Sequence, residues 1–280
     1  MKIEKNIDLY KYSTMRTHSL GSIMYTPESI EELRELLITL QGDCYFIGGG
    51  SNVLFASNVK RPIVNLMQLN NELKLNDDGT ITSGCSVRIQ RLINFGLEHS
   101  VGGFEYLYSL PASVGGVVYM NAGRGKGHNQ QISDWLTEVE YLDMSDMQVK
   151  KMIIDKGQWA YRTSPFQRMK AVILSATFRM RISSKDEIYN NIQSRKELVK
   201  KIQEGDKPSC GSVFNCCNKY IMRLIKGKRI GGACWSRKTD NWISNDKDGT
   251  ADDVIALINA AKKLHRLTFQ KYNLEIRIFE

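Results

Sequence analysis

Three consecutive glycines interrupt an apolar segment: Cys44-Tyr45-Phe46-Ile47 runs straight into Gly48-Gly49-Gly50-Ser51-Asn52. Strand interiors disfavour glycine, which loses the most backbone freedom on ordering and has no side chain to pack. Such a run marks a turn that leaves a strand while something comes into close contact with its backbone. Amide groups in a turn of this kind converge into a positively polarised nest, and Ser51 and Asn52 add side-chain donors. Gly48, Gly49, Gly50, Ser51 and Asn52 are therefore candidates to hold a phosphate or diphosphate, with a tight structural turn as the alternative. The spacing is not G-x-G-x-x-G, which argues against a Rossmann nicotinamide site.

A second small-residue stretch, LPASVGGVVYMNAGRGKG from Leu110 to Gly127, carries the same physical signature. Ser113, Gly116 and Asn121 would let a planar or phosphorylated ligand lie flat against backbone, and the segment 114–123 reads as an apolar strand flanked by glycines. Two such surfaces suggest an elongated cofactor held between subdomains, and flavin adenine dinucleotide (FAD) fits that groove. The spacing of apolar residues predicts a helix over 28–41, with strands at 44–47, near 62–66 and through GTITSGCSV. A helix follows in RIQRLINFGLEHS, and WLTEVEYLDM and KAVILSATFRM alternate like sheet strands. Beyond Lys185 the chain turns polar and helical, and DDVIALINAAKKLHRLTFQKY predicts a last helix before a closing strand, NLEIRIFE. The class is α+β, built of α/β subdomains, with a first domain over residues 1–184 and a C-terminal lobe over 185–280.

The formal net charge of +9 favours anionic partners. Without basic tails or a nucleic-acid motif, small phosphorylated molecules come ahead of polynucleotides. No window has the roughly 18 apolar residues a membrane span requires, and the N-terminus has no signal-peptide core, so no membrane and a cytoplasmic location are expected. Six cysteines lack C-x-x-C pairing and read as buried free thiols rather than disulfides or a metal site. The four histidines show no metal spacing, and surface or capping roles suit them.

Six segments occur in one order along nearly the whole chain: IGGGSNVL, GFEYLYSLPASVGGVVYMNAG, WAYRTSPF, PSCGSVF, KGKRIGGACWSRK and LEIRIFE. In this the chain resembles the UDP-N-acetylenolpyruvoylglucosamine reductase (MurB) family, in its compact subtype without an extra tyrosine-bearing substrate loop. The resemblance implies an FAD-binding fold of the vanillyl-alcohol-oxidase (PCMH) type followed by a substrate-binding α+β lobe. It implies non-covalent FAD, NADPH as co-substrate and a UDP-sugar substrate whose enolpyruvyl double bond is reduced in peptidoglycan precursor synthesis. A monomer is expected.

By the same resemblance Arg162, Ser212 and Glu275 are catalytic, and Tyr161 and Lys238 contact substrate. The residue types suit the chemistry. A guanidinium fork grips a carboxylate in two places, a hydroxyl supplies a proton to an enolate carbon, and a neutral carboxylic acid hydrogen-bonds the carboxylate side. Ser209 competes with Ser212, and family register favours Ser212. The chain departs from the family where lysine, asparagine and proline usually follow GSVF, having Asn215-Cys216-Cys217 instead. It departs again where S-E-K-H is common, having Ser236-Arg237-Lys238-Thr239. Lys219, Arg223, Lys226, Lys228 and Arg229 are candidates to replace the lost charge. Two rivals follow: a related FAD enzyme acting on another nucleotide sugar or a small alcohol, and a non-catalytic flavin-binding relative.

Overall fold

A computed structural model describes residues 1–205 and 207–280, with Lys126 described through its backbone alone. Six α-helices and many short strands alternate along it, as the α+β reading expects. The helices are α1 (Ile30–Thr39), α2 (Ile89–Glu98), α3 (Val114–Tyr119), α4 (Lys185–Ile202), α5 (Lys219–Leu224) and α6 (Ala251–Leu267). Two compact units are interleaved in sequence. The first takes Met1–Ile3, Tyr25–Gly49 and Val64–Glu197; the second takes Glu4–Met24, Gly50–Ile63 and Leu198–Glu280. A single cut after residue 184 therefore differs from the contact units in two ways. Two early segments join the C-terminal unit, and most of α4 stays with the first. No helix among the described residues is long and apolar enough to cross a membrane.

The first unit is built on a five-stranded antiparallel sheet ordered Gln148–Ile153, Leu136–Asp143, Ala171–Phe178, Ile81–Gly84, Leu73–Leu75. Leu174, Ala176 and Phe178 alternate inward from the central strand and pack with Leu92, Ile93, Val114 and Val118 from α2 and α3. Alternation in the strands and a 3.6-residue stripe on the helices place the apolar faces on one core. The structure departs from the sequence expectation at residues 114–123, because Val114–Tyr119 is helical. Ser113 caps that helix by accepting the Gly116 N–H, and Gly115 lies close against Cys85. Tertiary packing and a serine cap outweigh the weak helix propensity of valine and glycine.

In the second unit, Arg229–Ile230, Ala233–Trp235 and Ile243–Asn245 form a three-stranded antiparallel sheet. α6 packs on it through Val254, Leu257, Ile258 and Ala261. Residues 13–19 are stitched into this unit: Asn245 Nδ2 donates to the carbonyls of Met15 and Arg16, each at 3.1 Å. The closing segment NLEIRIFE is two strands rather than one. Asn273–Leu274 pairs antiparallel with Phe214–Cys216, and Arg277–Phe279 pairs parallel with Val53–Phe55. His265, expected at a surface or cap, is fully buried in α6 and accepts the Asn218 N–H at 3.0 Å.

Candidate active site

The sequence points to a ligand as the reason for the missing Cβ atoms of the glycine run; the structure places the protein's own atoms there. In the first unit a Cβ on Gly48 would overlap Ser113 Oγ, and one on Gly49 would lie 2.8 Å from the Pro111 carbonyl and 2.9 Å from Ala112 Cα. In the second unit Gly50 has φ +67°, and its Cβ would overlap the Tyr12 carbonyl. The two side-chain-poor stretches of the first unit thus pack directly on one another. The backbone N–H groups of Gly49, Gly50 and Ser51 meet no acceptor among the described residues. Three successive amide donors free of side-chain bulk suit a dinucleotide diphosphate.

The other expected cofactor residues serve the fold. Ser113 and Gly116 bond to each other at the start of α3. Asn121, buried and at φ +42°, donates to Gln131 Oε1 at 3.0 Å and the Ala160 carbonyl at 2.8 Å, and accepts the Ser133 N–H at 3.2 Å. Its amide is committed to protein partners. Asn52 Nδ2 donates to the Glu275 carbonyl at 3.0 Å, so this side chain anchors the Glu275 segment.

Arg162 sits in a two-residue turn, Tyr161-Arg162, closed by reciprocal hydrogen bonds between Ala160 and Thr163 at 3.1 and 2.9 Å. Its φ of +56° is a left-handed conformation that costs a non-glycine residue about 1 kcal/mol or more, and such residues cluster at functional sites. The turn is held to the end of α3: Ser164 Oγ donates to the Tyr119 carbonyl at 2.7 Å, and Gln167 Nε2 donates to the carbonyls of Tyr119 and Arg162 at 3.0 Å. Arg162 Nη1 donates to the Gly123 carbonyl at 3.1 Å, and its guanidinium lies 5.2 Å over the Tyr161 ring. Burial, with the Asp134 charge adding to it, pushes the nearby Tyr106 phenol well above its usual range.

The second unit brings Ser212 and Glu275 onto neighbouring backbone. The Val213 carbonyl accepts the N–H groups of Glu275 at 2.8 Å and Ile276 at 3.3 Å, at the break between the two closing strands. Phe214 pairs with Leu274 beside them. Glu275 Oε2 is buried. Gly211 at φ +78° turns the chain, and Ser209 Oγ accepts its N–H at 3.2 Å. Ser209 is therefore used by the turn, whereas the half-buried Ser212 hydroxyl has no hydrogen-bond partner among the described residues. Asn241, which the sequence did not mark, clamps this loop: its Oδ1 accepts the Phe214 N–H at 2.9 Å and its Nδ2 donates to the Phe214 carbonyl at 2.7 Å. It adopts φ +60°, and the only local signal for that turn in the sequence is asparagine itself, in Asp240-Asn241-Trp242.

Lys238 is exposed, in a turn where the buried Ser236 hydroxyl accepts the N–H groups of Lys238 and Thr239 at 3.1 and 3.0 Å. Three of the proposed substitute cations are already paired. Arg223 and Lys226 face Asp240 at 3.5 and 2.8 Å, and Arg229 grips Asp246 at 2.8 and 2.9 Å. Cys216 is exposed rather than buried; Cys210 is buried, with its Sγ donating to the Val53 carbonyl at 3.0 Å.

A side-chain-poor turn whose amides meet no acceptor among the described residues, and a lobe that sets a serine and a glutamate on neighbouring backbone, fit a two-part dinucleotide-binding protein. Residues 22–151 match the FAD binding domain family, and residues 203–276 match the family described as UDP-N-acetylenolpyruvoylglucosamine reductase, C-terminal domain. A UDP-N-acetylenolpyruvoylglucosamine reductase of Halalkalibacterium halodurans is 30% identical over 99% of this chain and 93% of its own length. The reductase of Francisella tularensis is 30% identical over 96% of both chains. The crystal structure of the Thermus caldophilus reductase (MurB) superposes over 100% of both chains with a TM-score of 0.82 at 22% identity, a likeness of fold. The chain belongs to the UDP-N-acetylenolpyruvoylglucosamine reductase family.

Proposed function

We propose that this protein is an FAD-dependent oxidoreductase that reduces UDP-N-acetylenolpyruvoylglucosamine to UDP-N-acetylmuramate in peptidoglycan precursor synthesis, with NADPH as the electron source. The observation that carries the reading is the Val213 carbonyl, which takes the Glu275 N–H and so sets the two expected acids of the C-terminal lobe on adjacent backbone. The amides of Gly49, Gly50 and Ser51 would hold the FAD diphosphate, while Gly48, Ser113 and Gly116 keep its surroundings free of bulk. FAD, when bound, supplies the centre that takes hydride from NADPH and passes it on.

Hydride addition at the outer carbon of the enolpyruvyl double bond leaves negative charge on the adjacent carbon and its carboxylate. Arg162 binds that carboxylate through its fixed guanidinium fork, and its left-handed turn keeps the fork aimed. The Ser212 hydroxyl donates its proton to the α-carbon, a task for which an unengaged hydroxyl suits better than the committed one of Ser209. Glu275, as a neutral acid, hydrogen-bonds the carboxylate side. Tyr161 and Lys238 are proposed to contact the substrate. The protein is proposed to act in the cytoplasm as a monomer on these small molecules rather than on nucleic acid. Stopped-flow absorbance with the purified yellow protein tests the reading. NADPH should bleach the flavin, and the enolpyruvyl substrate should restore it; restoration by oxygen alone would favour the alcohol-oxidising alternative.

A further inference from the structure

In the second unit the indole N–H of Trp242 is enclosed and meets no acceptor among the described residues. An enclosed donor without a partner has lost its hydration and gained nothing in return, so it calls for an explanation. Its place in the fold supplies one. Trp242 and Ser212 face each other in an isolated antiparallel bridge. The Val213 N–H donates to the Asn241 carbonyl at 3.0 Å, a bond between the residues beside the pair rather than within it. Ser212 and Trp242 are therefore a non-hydrogen-bonded pair, the kind whose opposed side chains leave the backbone on one face with Cβ atoms about 4.5–5.5 Å apart. Trp242 is fixed from two other directions. Its carbonyl accepts the Ser236 N–H at 2.8 Å, and its ring edge lies against Gly211, with Cζ3 and Cη2 3.8 and 3.9 Å from where a Cβ on that glycine would stand. The polar side chain opposite the indole is thus Ser212, whose half-buried hydroxyl has no hydrogen-bond partner among the described residues.

A serine hydroxyl is a feeble acid. When it protonates a carbanionic carbon, a C–H bond forms, the O–H bond breaks, and its electron pair stays on Oγ as negative charge. A donor held beside that oxygen stabilises the charge only as it appears, which lowers the barrier without tightening the ground state. An indole N–H suits the task, because it donates and keeps its own proton. Hydrogen bonds of this kind are often unformed in a ligand-free protein and close when the substrate is bound. We propose that Trp242 is a positioning residue for Ser212, its indole N–H donating to Oγ as the hydroxyl gives up its proton. Water returns a proton to Oγ when the product leaves. The inference deepens the reductase reading and rests on it for the role of Ser212.

The test is a double-mutant cycle with Ser212→Ala, read by stopped-flow reoxidation of the NADPH-reduced, FAD-loaded protein with UDP-N-acetylenolpyruvoylglucosamine. Trp242→Phe keeps an aromatic ring beside Gly211 and removes the donor. It should slow reoxidation roughly tenfold to a hundredfold, as expected for one lost hydrogen bond to a charged oxygen. Bleaching by NADPH and the affinity of the oxidised protein for the substrate should stay at the wild-type level. In the Ser212→Ala background Trp242→Phe should have no further effect, because the donor acts through the oxygen already removed. β-(3-Benzothienyl)alanine at position 242 keeps the bicyclic shape and carries sulfur in place of the N–H. It should reproduce the loss, and it decides the matter if the phenylalanine variant folds poorly. Reoxidation at the wild-type rate, a loss of equal size with and without the Ser212 hydroxyl, or a loss confined to substrate affinity would each overturn the inference. Failure of the reductase reading is a different result, since the reduced wild type would then stay bleached when the substrate is added.

Discussion

In the second unit Arg229 is locked to Asp246 by two hydrogen bonds, Lys207 reaches the same carboxylate at 3.3 Å, and Lys226 holds Asp240 at 2.8 Å. In the first unit Arg162 donates to a backbone carbonyl, and Arg124 and Arg195 face no carboxylate among the described residues. The two regions thus spend their positive charge differently. The net charge of +9 is no guide to where an anion binds, because a paired cation has little left to offer and its removal costs stability instead. Of the basic run after Phe214, Arg223, Lys226 and Arg229 are engaged in this way.

Four experiments press on this contrast. The largest effect is expected from the serines of the second unit. Ser212→Ala should slow the substrate half-reaction by on the order of a thousandfold, the range of a lost general acid, while flavin bleaching by NADPH persists. Ser209→Ala should lower the melting temperature and spare the half-reaction; equal losses of rate would break the distinction between the free and the committed hydroxyl. Next comes the pair of arginines. Arg162→Met should reduce kcat/KM by roughly a hundredfold or more, whereas Arg229→Met should leave kcat/KM within a few-fold and lower the melting temperature. A reversed outcome would overturn the comparison outright.

Gly50→Ala should destabilise the protein by about 3 kcal/mol, combining left-handed strain with overlap on the Tyr12 carbonyl. Urea titration reads the loss, and a neutral substitution would restore the ligand as the reason for the glycine. The smallest effect concerns pH. Arg229 beside Asp246, helped by Lys207, holds that carboxyl well below the usual carboxylate range. A depressed folded-state value means that the stabilisation is fully present above the unfolded value near about 4 and is lost as pH falls through the folded one. Asp246→Asn should therefore lower the urea midpoint at neutral pH and flatten its decline below about pH 4, with little change in the flavin spectrum.

Much of this was written in local pattern. The helices from Ile30, Ile89 and Ala251 and the sheet strands Leu136–Asp143 and Ala171–Phe178 follow apolar spacing that burial on one face enforces. Long-range packing hid the rest. Valines 114, 117 and 118 read as strand because β-branching favours extended backbone, yet the Ser113 cap and the contact of Gly115 with Cys85 select a helix. NLEIRIFE reads as one strand, but its halves pair with Phe214–Cys216 and Val53–Phe55, partners far apart in sequence, and the change of partner falls at Glu275. The joining of residues 4–24 and 50–63 to the C-terminal unit depends on contacts such as Asn245 with Met15, which no local period encodes. Asn241 escaped notice for the same reason.

The most direct measurement follows the flavin absorbance of the wild type through one anaerobic cycle. Addition of NADPH should bleach it, and UDP-N-acetylenolpyruvoylglucosamine should then restore it with stoichiometric formation of UDP-N-acetylmuramate. Protein that purifies without flavin, or reduced flavin that stays bleached when this substrate is added, would contradict the account.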